Sequence, residues 1–112
     1  MKVGLDIDGT ITAMPWLFKI LSTGLKAEGH EVHVITFRSP SFKEETEEML
    51  QAMGIVYDKI FYGQQIVDPE WKGKIAQEVG LDVMFEDDLS VLSQMPATVV
   101  TCQVKSGWPF RN

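Results

Sequence analysis

Cysteine is almost absent from this chain, and the single Cys102 cannot form an internal disulfide, so a disulfide-stapled scaffold is excluded. Its place in an apolar, strand-like run predicts a buried, inert thiol. Long hydrophobic runs are missing too. No stretch approaches the roughly 18 to 20 apolar residues of a membrane helix, so none is expected. The N-terminus lacks a basic flank leading into an apolar stretch with a small-residue cleavage site, which points to a cytoplasmic protein without a signal peptide. Basic residues are the minority, with Lys and Arg numbering 10 against 16 Asp and Glu, a net charge of −6. Binders of nucleic-acid backbones usually carry a basic stripe, so the balance weighs against such a partner without excluding it. Histidine is scarce, and neither His30 nor His33 has a partner at metal-ligand spacing; both are expected in turns or facing solvent. Repeats, linkers and low-complexity stretches are absent.

What is present describes one compact α/β domain over residues 1–112, with 45% hydrophobic and 23% charged residues. Strands are expected near the N-terminus and over 31–38, 55–62, 81–85 and 98–104. Pro15 opens a helix whose apolar positions Trp16, Leu17, Ile20, Leu21 and Leu25 predict a packed face. Trp16 has two readings, a core anchor or a residue at the mouth of a site. Ser41-Phe42-Lys43-Glu44 has the spacing of a capping box ahead of a helix through Met49, Leu50 and Met53. Pro69 begins a helix that Gly80 ends, and Asp88 caps a short helix running from Leu89 to Met95. Strand, helix and strand in alternation, with connections this long, imply parallel pairing and right-handed crossovers.

The chemistry concentrates where the first strand ends, at Asp6-Ile7-Asp8-Gly9-Thr10. Side chains two apart in a strand share a face, so Asp6 and Asp8 leave it on one side while Ile7 points into the core. Two carboxylates this close repel, and a hard cation, Mg²⁺ above all, would compensate them. Gly9 allows a sharp turn, and Thr10 adds a hydroxyl. The bland alternatives are a calcium loop or a polar turn after an edge strand.

Ligands of open parallel sheets gather at the carboxyl ends of the strands, which places Thr36 and Arg38 at the same crevice. Arg38 can grip an anionic substrate through its fork or make a surface ion pair. Lys72 shares the buried stripe of its helix with Ile75, Ala76 and Val79, and its ammonium can reach past the helix start. Glu86, Asp87 and Asp88 place three acids in a row at a strand end, an arrangement that calls for a cation. The apolar middle of the loop from Gly63 to Asp68 can reach over the site or simply pack, and the tail with Trp108-Pro109-Phe110 reads as a packed extension or an oligomer contact.

Asp-Ile-Asp-Gly-Thr at the exit of an N-terminal hydrophobic strand closely resembles the signature of the haloacid dehalogenase-like (HAD) superfamily of phosphatases and phosphotransferases. The remaining motifs follow in the family's order, spanning Asp6 to Asp88. The resemblance implies a Rossmann-like, three-layer fold with a five-stranded parallel sheet in the order 5-4-1-2-3. It implies that Asp6 is the nucleophile and Asp8 the general acid and base, with Thr36 and Lys72 on the phosphoryl oxygens and Lys74 the alternative lysine. Asp6, Asp8 through its carbonyl, Glu86 and Asp87 would hold Mg²⁺. The commoner pattern has Gly before this Asp, which leaves the role of Glu86 in doubt. Neither gap has room for the family's cap domain, so the site would be open, serving a large substrate or a small one enclosed by a second subunit; the acidic balance tilts towards a small phosphoester. The implied activity is Mg²⁺-dependent hydrolysis of a phosphomonoester through an aspartyl-phosphate. The rivals are transfer to another acceptor and a non-catalytic module that holds phosphate and metal.

Overall fold

The computed structural model describes residues 1–63 and 68–106. The expectations for the middle of the 63–68 loop and for Trp108-Pro109-Phe110 lie outside them. Five strands, β1 (Lys2–Leu5), β2 (Glu31–Thr36), β3 (Lys59–Tyr62), β4 (Val83–Glu86) and β5 (Val100–Gln103), alternate with helices α1 (Pro15–Ala27), α2 (Lys43–Ala52), α3 (Pro69–Val79) and α4 (Leu89–Leu92). The strands form one sheet in the order β3-β2-β1-β4-β5, and every pairing is parallel. This is the Rossmann-like α/β arrangement expected. No helix among the described residues is long and apolar enough to cross a membrane.

Period-two alternation divides the core between the two faces of the sheet. Val3 and Leu5 of β1 and Val32 and Val34 of β2 pack with Phe18 of α1 and Leu50 of α2. On the other face Ile35 and Met84 pack with Ala76 of α3 and Leu92 of α4. Each layer therefore has an apolar partner, and the central strand β1 is covered on both sides.

Several local expectations are corrected. Phe18 and Ser22, not Trp16, form the buried face of α1; Trp16 is 72% exposed, with Leu17 and Ile20 also outward. The reason is phase: Leu21 and Leu25 do lean on the core, but Phe18 shares their side of the helix and Trp16 does not. The Ser22 hydroxyl accepts from the Val56 backbone N–H at 3.1 Å, so a polar residue closes this face. Ser41 is not a cap; Ser39 accepts from Ser41 N at 3.2 Å and begins a 3-10 turn, Pro40–Phe42, that displaces the start of α2 to Lys43. Strand β3 starts at Lys59 rather than Ile55, because Asp58 is spent as a clasp: its carboxylate accepts from Val32 N at 2.8 Å and from Lys26 at 2.6 Å. His33 is buried, with Nε2 3.0 Å from Glu31 and its ring beside Phe61, because β2 is an interior strand. Cys102 is half-buried on the edge strand β5. Helix α4 ends at Leu92, short of Met95.

Candidate active site

Strand β1 delivers Asp6 to the carboxyl edge of the sheet, where its N–H still bonds Phe85 O of β4 at 3.0 Å. The chain then turns. Ile7 is fully buried, Gly9 has φ +83°, and Gly9 N donates to Thr12 Oγ1 at 2.9 Å. A left-handed conformation at this position suits glycine and disfavours any branched residue. Thr10 folds back beneath the turn, and its buried hydroxyl donates to Asp6 Oδ2 at 2.8 Å. The other oxygen of Asp6 accepts from Lys72 Nζ, also at 2.8 Å. Each carboxylate oxygen retains acceptor capacity after one such bond.

Lys72 comes from the first turns of α3. Asp68 caps that helix by accepting from Glu70 N at 2.9 Å, and Pro69 opens it. Gly73 lets the helix lie flat against the loop after α4, since a Cβ there would run into the Gln94 carbonyl. The result is a fully buried lysine whose ammonium also donates to Glu86 Oε1 at 2.7 Å and sits 4.6 Å from the centre of the Phe37 ring. Lys74 points outward, which separates the two lysines the sequence left open. The second oxygen of Glu86 accepts from Asp87 N at 3.0 Å and Asp88 N at 3.2 Å, while Asp88 caps α4 through Ser90 N at 2.9 Å.

Asp6, Asp8, Thr36, Lys72, Glu86 and Asp87 line one cavity of about 230 Å³, together with Phe37 and Asp88. Asp8 and Asp87 also border a neighbouring groove of about 780 Å³ that runs along Thr12, Ala13 and Met14 to Ser106. Arg38 stands behind the cavity. Its Nη2 and Nε donate to the two oxygens of Asp8 at 2.8 and 3.0 Å, and its Nη1 donates to buried Thr46 at 3.2 Å. Bonding to Asp8 is also the main reason that the guanidinium holds its proton more tightly than usual. Of the two readings of Arg38, the ion pair is the one made here.

Electrostatically the site is overloaded with negative charge. Burial raises the pKa of Asp6, and the attraction of Lys72 only partly offsets it. Burial, then the charge of Asp6, pushes Glu86 up to about 8 despite the same lysine. Asp6, Glu86 and Asp87 offer oxygens that all lie within 4.8 Å of one another. Three carboxylates against one ammonium leave a surplus that a hard, oxygen-preferring dication fits in both charge and donor type. The signals not read from sequence are the Thr10 hydroxyl under Asp6, the Glu86 bridge to Lys72, Phe37 beside the ammonium, and Thr46 behind Arg38. Thr10 and Glu86 lay inside recognised motifs, but their bonds to Asp6 and Lys72 did not follow from those motifs.

No family model and no curated protein matches the chain. Among solved structures, a chain of a Pnkp1/Rnl/Hen1 complex is similar over 92% of this chain with a TM-score of 0.74 and 19% identity. The match spans 45% of that chain, so this protein corresponds to less than half of its neighbour's length. A universal stress protein in complex with cAMP is similar over 94% of this chain and 98% of its own, with a TM-score of 0.55 and 12% identity. At these identities the likeness is one of fold.

Proposed function

We propose that the chain is a Mg²⁺-dependent phosphatase of the haloacid dehalogenase-like type, hydrolysing a phosphomonoester through an aspartyl-phosphate on Asp6. The observation that carries the reading is the buried Lys72 ammonium, 2.8 Å from Asp6, in a cavity that Asp8, Thr36 and Asp87 share. A structural ion pair would have no need of a second acidic turn and a strand-ending hydroxyl around one hollow. Perturbed carboxylates in a cleft also favour a functional site.

The residues divide the work by position. Asp6 attacks phosphorus with a carboxylate oxygen, forming a new P–O bond as the bond to the leaving oxygen breaks. Lys72 and the Thr36 hydroxyl, both buried and so preorganised, carry the charge on the phosphoryl oxygens. Glu86 holds the ammonium in place. Asp8 gives a proton to the leaving oxygen and then takes one from the water that cleaves the acyl phosphate, which returns both carboxyls to their starting states. Asp6, Asp87 and the main-chain carbonyl of Asp8 would hold Mg²⁺, with Glu86 among the neighbouring oxygens. When bound, the ion screens the anionic nucleophile from the anionic substrate. The adjoining groove offers room for a small leaving group, and a cytoplasmic setting suits a chain with a single thiol.

Hydrolysis of an aryl phosphate with and without Mg²⁺, for the wild type and Asp6→Asn, tests the reading. Metal-dependent turnover lost in Asp6→Asn supports it. If neither turnover nor metal-dependent binding of beryllium fluoride at Asp6 occurs, it falls.

A further inference from the structure

The contact between Arg38 and Asp8 carries more than a surface ion pair. An exposed pair between flexible chains contributes little, because holding two long side chains in one geometry costs entropy. Here the geometry is a fork: Nη2 to Oδ1 at 2.8 Å and Nε to Oδ2 at 3.0 Å. The far side of the guanidinium is tied down as well, with Nη1 on the hydroxyl of fully buried Thr46 and Nη2 3.7 Å from Met49 Sδ. The backbone at Arg38 is pinned in turn, since its N–H donates to Thr36 Oγ1 at 3.1 Å. A rigid chain of contacts therefore runs from the buried face of α2 through Arg38 to Asp8, whose side chain is otherwise 62% exposed. Arg38 does not border the cavity itself, so its fork serves Asp8 and not the space beside Asp6.

We infer that Arg38 is the positioning residue for Asp8, orienting its carboxyl towards the leaving oxygen; the inference rests on the phosphatase reading. Each oxygen of Asp8 keeps a lone pair beside its bond to the guanidinium, so the carboxyl can take up a proton without leaving the fork. Oδ2, on the longer bond from Nε, carries that proton. That proton moves to the leaving oxygen as its bond to phosphorus breaks and the Asp6–phosphorus bond forms. The water that next attacks phosphorus returns a proton to Oδ2 as the Asp6–phosphorus bond breaks.

The test compares two substrates in Mg²⁺. An alkyl phosphate such as 2-glycerophosphate needs its leaving oxygen protonated; 4-nitrophenyl phosphate, whose leaving group is a stable anion, does not. For both, kcat/KM reports the steps up to departure of the leaving group. General acid catalysis supplies about 10²–10⁴-fold, so Arg38→Gln is expected to lose about 10- to 100-fold in kcat/KM on the alkyl ester and several times less on the nitrophenyl ester. Arg38→Lys, which keeps one charged donor, should restore part of the alkyl activity. Thr46→Val should reproduce the selective loss in weaker form, and it serves where Arg38→Gln fails to fold. An equal loss on both substrates overturns the inference in favour of a phosphate-gripping arginine, and no loss on either reduces the contact to a surface pair. A wild type inactive on both substrates overturns the inference; if it also fails to bind beryllium fluoride at Asp6 in Mg²⁺, or if Asp6→Asn retains turnover, the phosphatase reading falls with it.

Discussion

Lys72 and Glu86 meet at 2.7 Å in the interior, one from the start of α3 and one from the end of β4. The same ammonium holds Asp6 at 2.8 Å, so one cation serves two buried anions, and a third carboxylate, Asp87, stands beside them. The folded chain carries a charge arrangement that favours taking up a proton or a metal ion.

The pH dependence of stability follows from Glu86. Its folded pKa is raised from 4.5 to about 8, so the folded state holds the proton more tightly than the unfolded one. Stability from this group is complete below pH 4.5 and is lost as pH rises towards 8. Without divalent cations, the melting temperature is expected to fall between pH 5 and 8, with Glu86→Gln flattening that part of the profile. Saturating Mg²⁺ should flatten it too, because the ion then compensates the charge and stabilises by mass action. A melting temperature that climbs across the same window, with or without Glu86, would contradict the argument.

Thr10 tests the floor of the site. Its hydroxyl is fully buried and donates to Asp6 Oδ2. Thr10→Val keeps the shape and removes the donor, leaving a buried carboxylate oxygen with one partner fewer. Denaturant unfolding should show a loss of about 1–3 kcal/mol, the usual cost of unpairing a buried polar group. A loss under a few tenths would mean that solvent replaces the hydroxyl.

The sheet was legible in the sequence because its signals are local and repeated: apolar runs of strand length, Pro at helix starts, and Gly80 after Val79. Asp6, Asp8, Thr36, Lys72 and Asp87 were legible as a set through the family resemblance, and because residues near strand ends and helix starts of a parallel sheet lie on one edge. What could not be read depended on contacts between distant segments. Trp16 and Phe18 are both large and apolar, and the run Trp16-Leu17-Phe18 left open which of them shares the phase of Leu21 and Leu25 on the core side of α1. His33 looks polar in isolation, yet β2 is interior because β3 lies outside it. Ser39 and Ser41 are both plausible caps until Pro40 starts a 3-10 turn between them. The bond from Arg38 to Asp8 joins residues 30 apart with no motif linking them.

Gly73 and Gly24 make a matched pair on two helices. A Cβ at Gly73 would strike the Gln94 carbonyl, whereas nothing lies within 4 Å of one at Gly24. Gly24→Ala should therefore stabilise the protein by about 0.5–1 kcal/mol through helix propensity. Gly73→Ala gains the same propensity but must push α3 off its support, with a net loss of about 1–3 kcal/mol as for other overpacked sites. Because Lys72 is the neighbouring residue, the shift should also lower kcat on an aryl phosphate, which Gly24→Ala leaves alone. Opposite changes in the two denaturation midpoints would bear out the contrast.

Asp58 makes the last case, at a position far from the chemistry. Its carboxylate binds Lys26 at 2.6 Å and the N–H of Val32 at 2.8 Å, and the first of these is the main reason that its pKa lies below 3.8. A depressed folded pKa means that the group's stabilisation is present above the unfolded value near 3.8 and disappears as pH falls through the folded one. This slope runs opposite to that of Glu86 and occupies a lower window, so the two separate in one titration. Asp58→Asn should lose stability at pH 7, and the loss should shrink as pH falls below 3.8 and the wild-type carboxylate is itself protonated. A loss that stays constant down the acid limb would show that Asp58 acts through its shape as a clasp between α1, β2 and β3, and not through its charge.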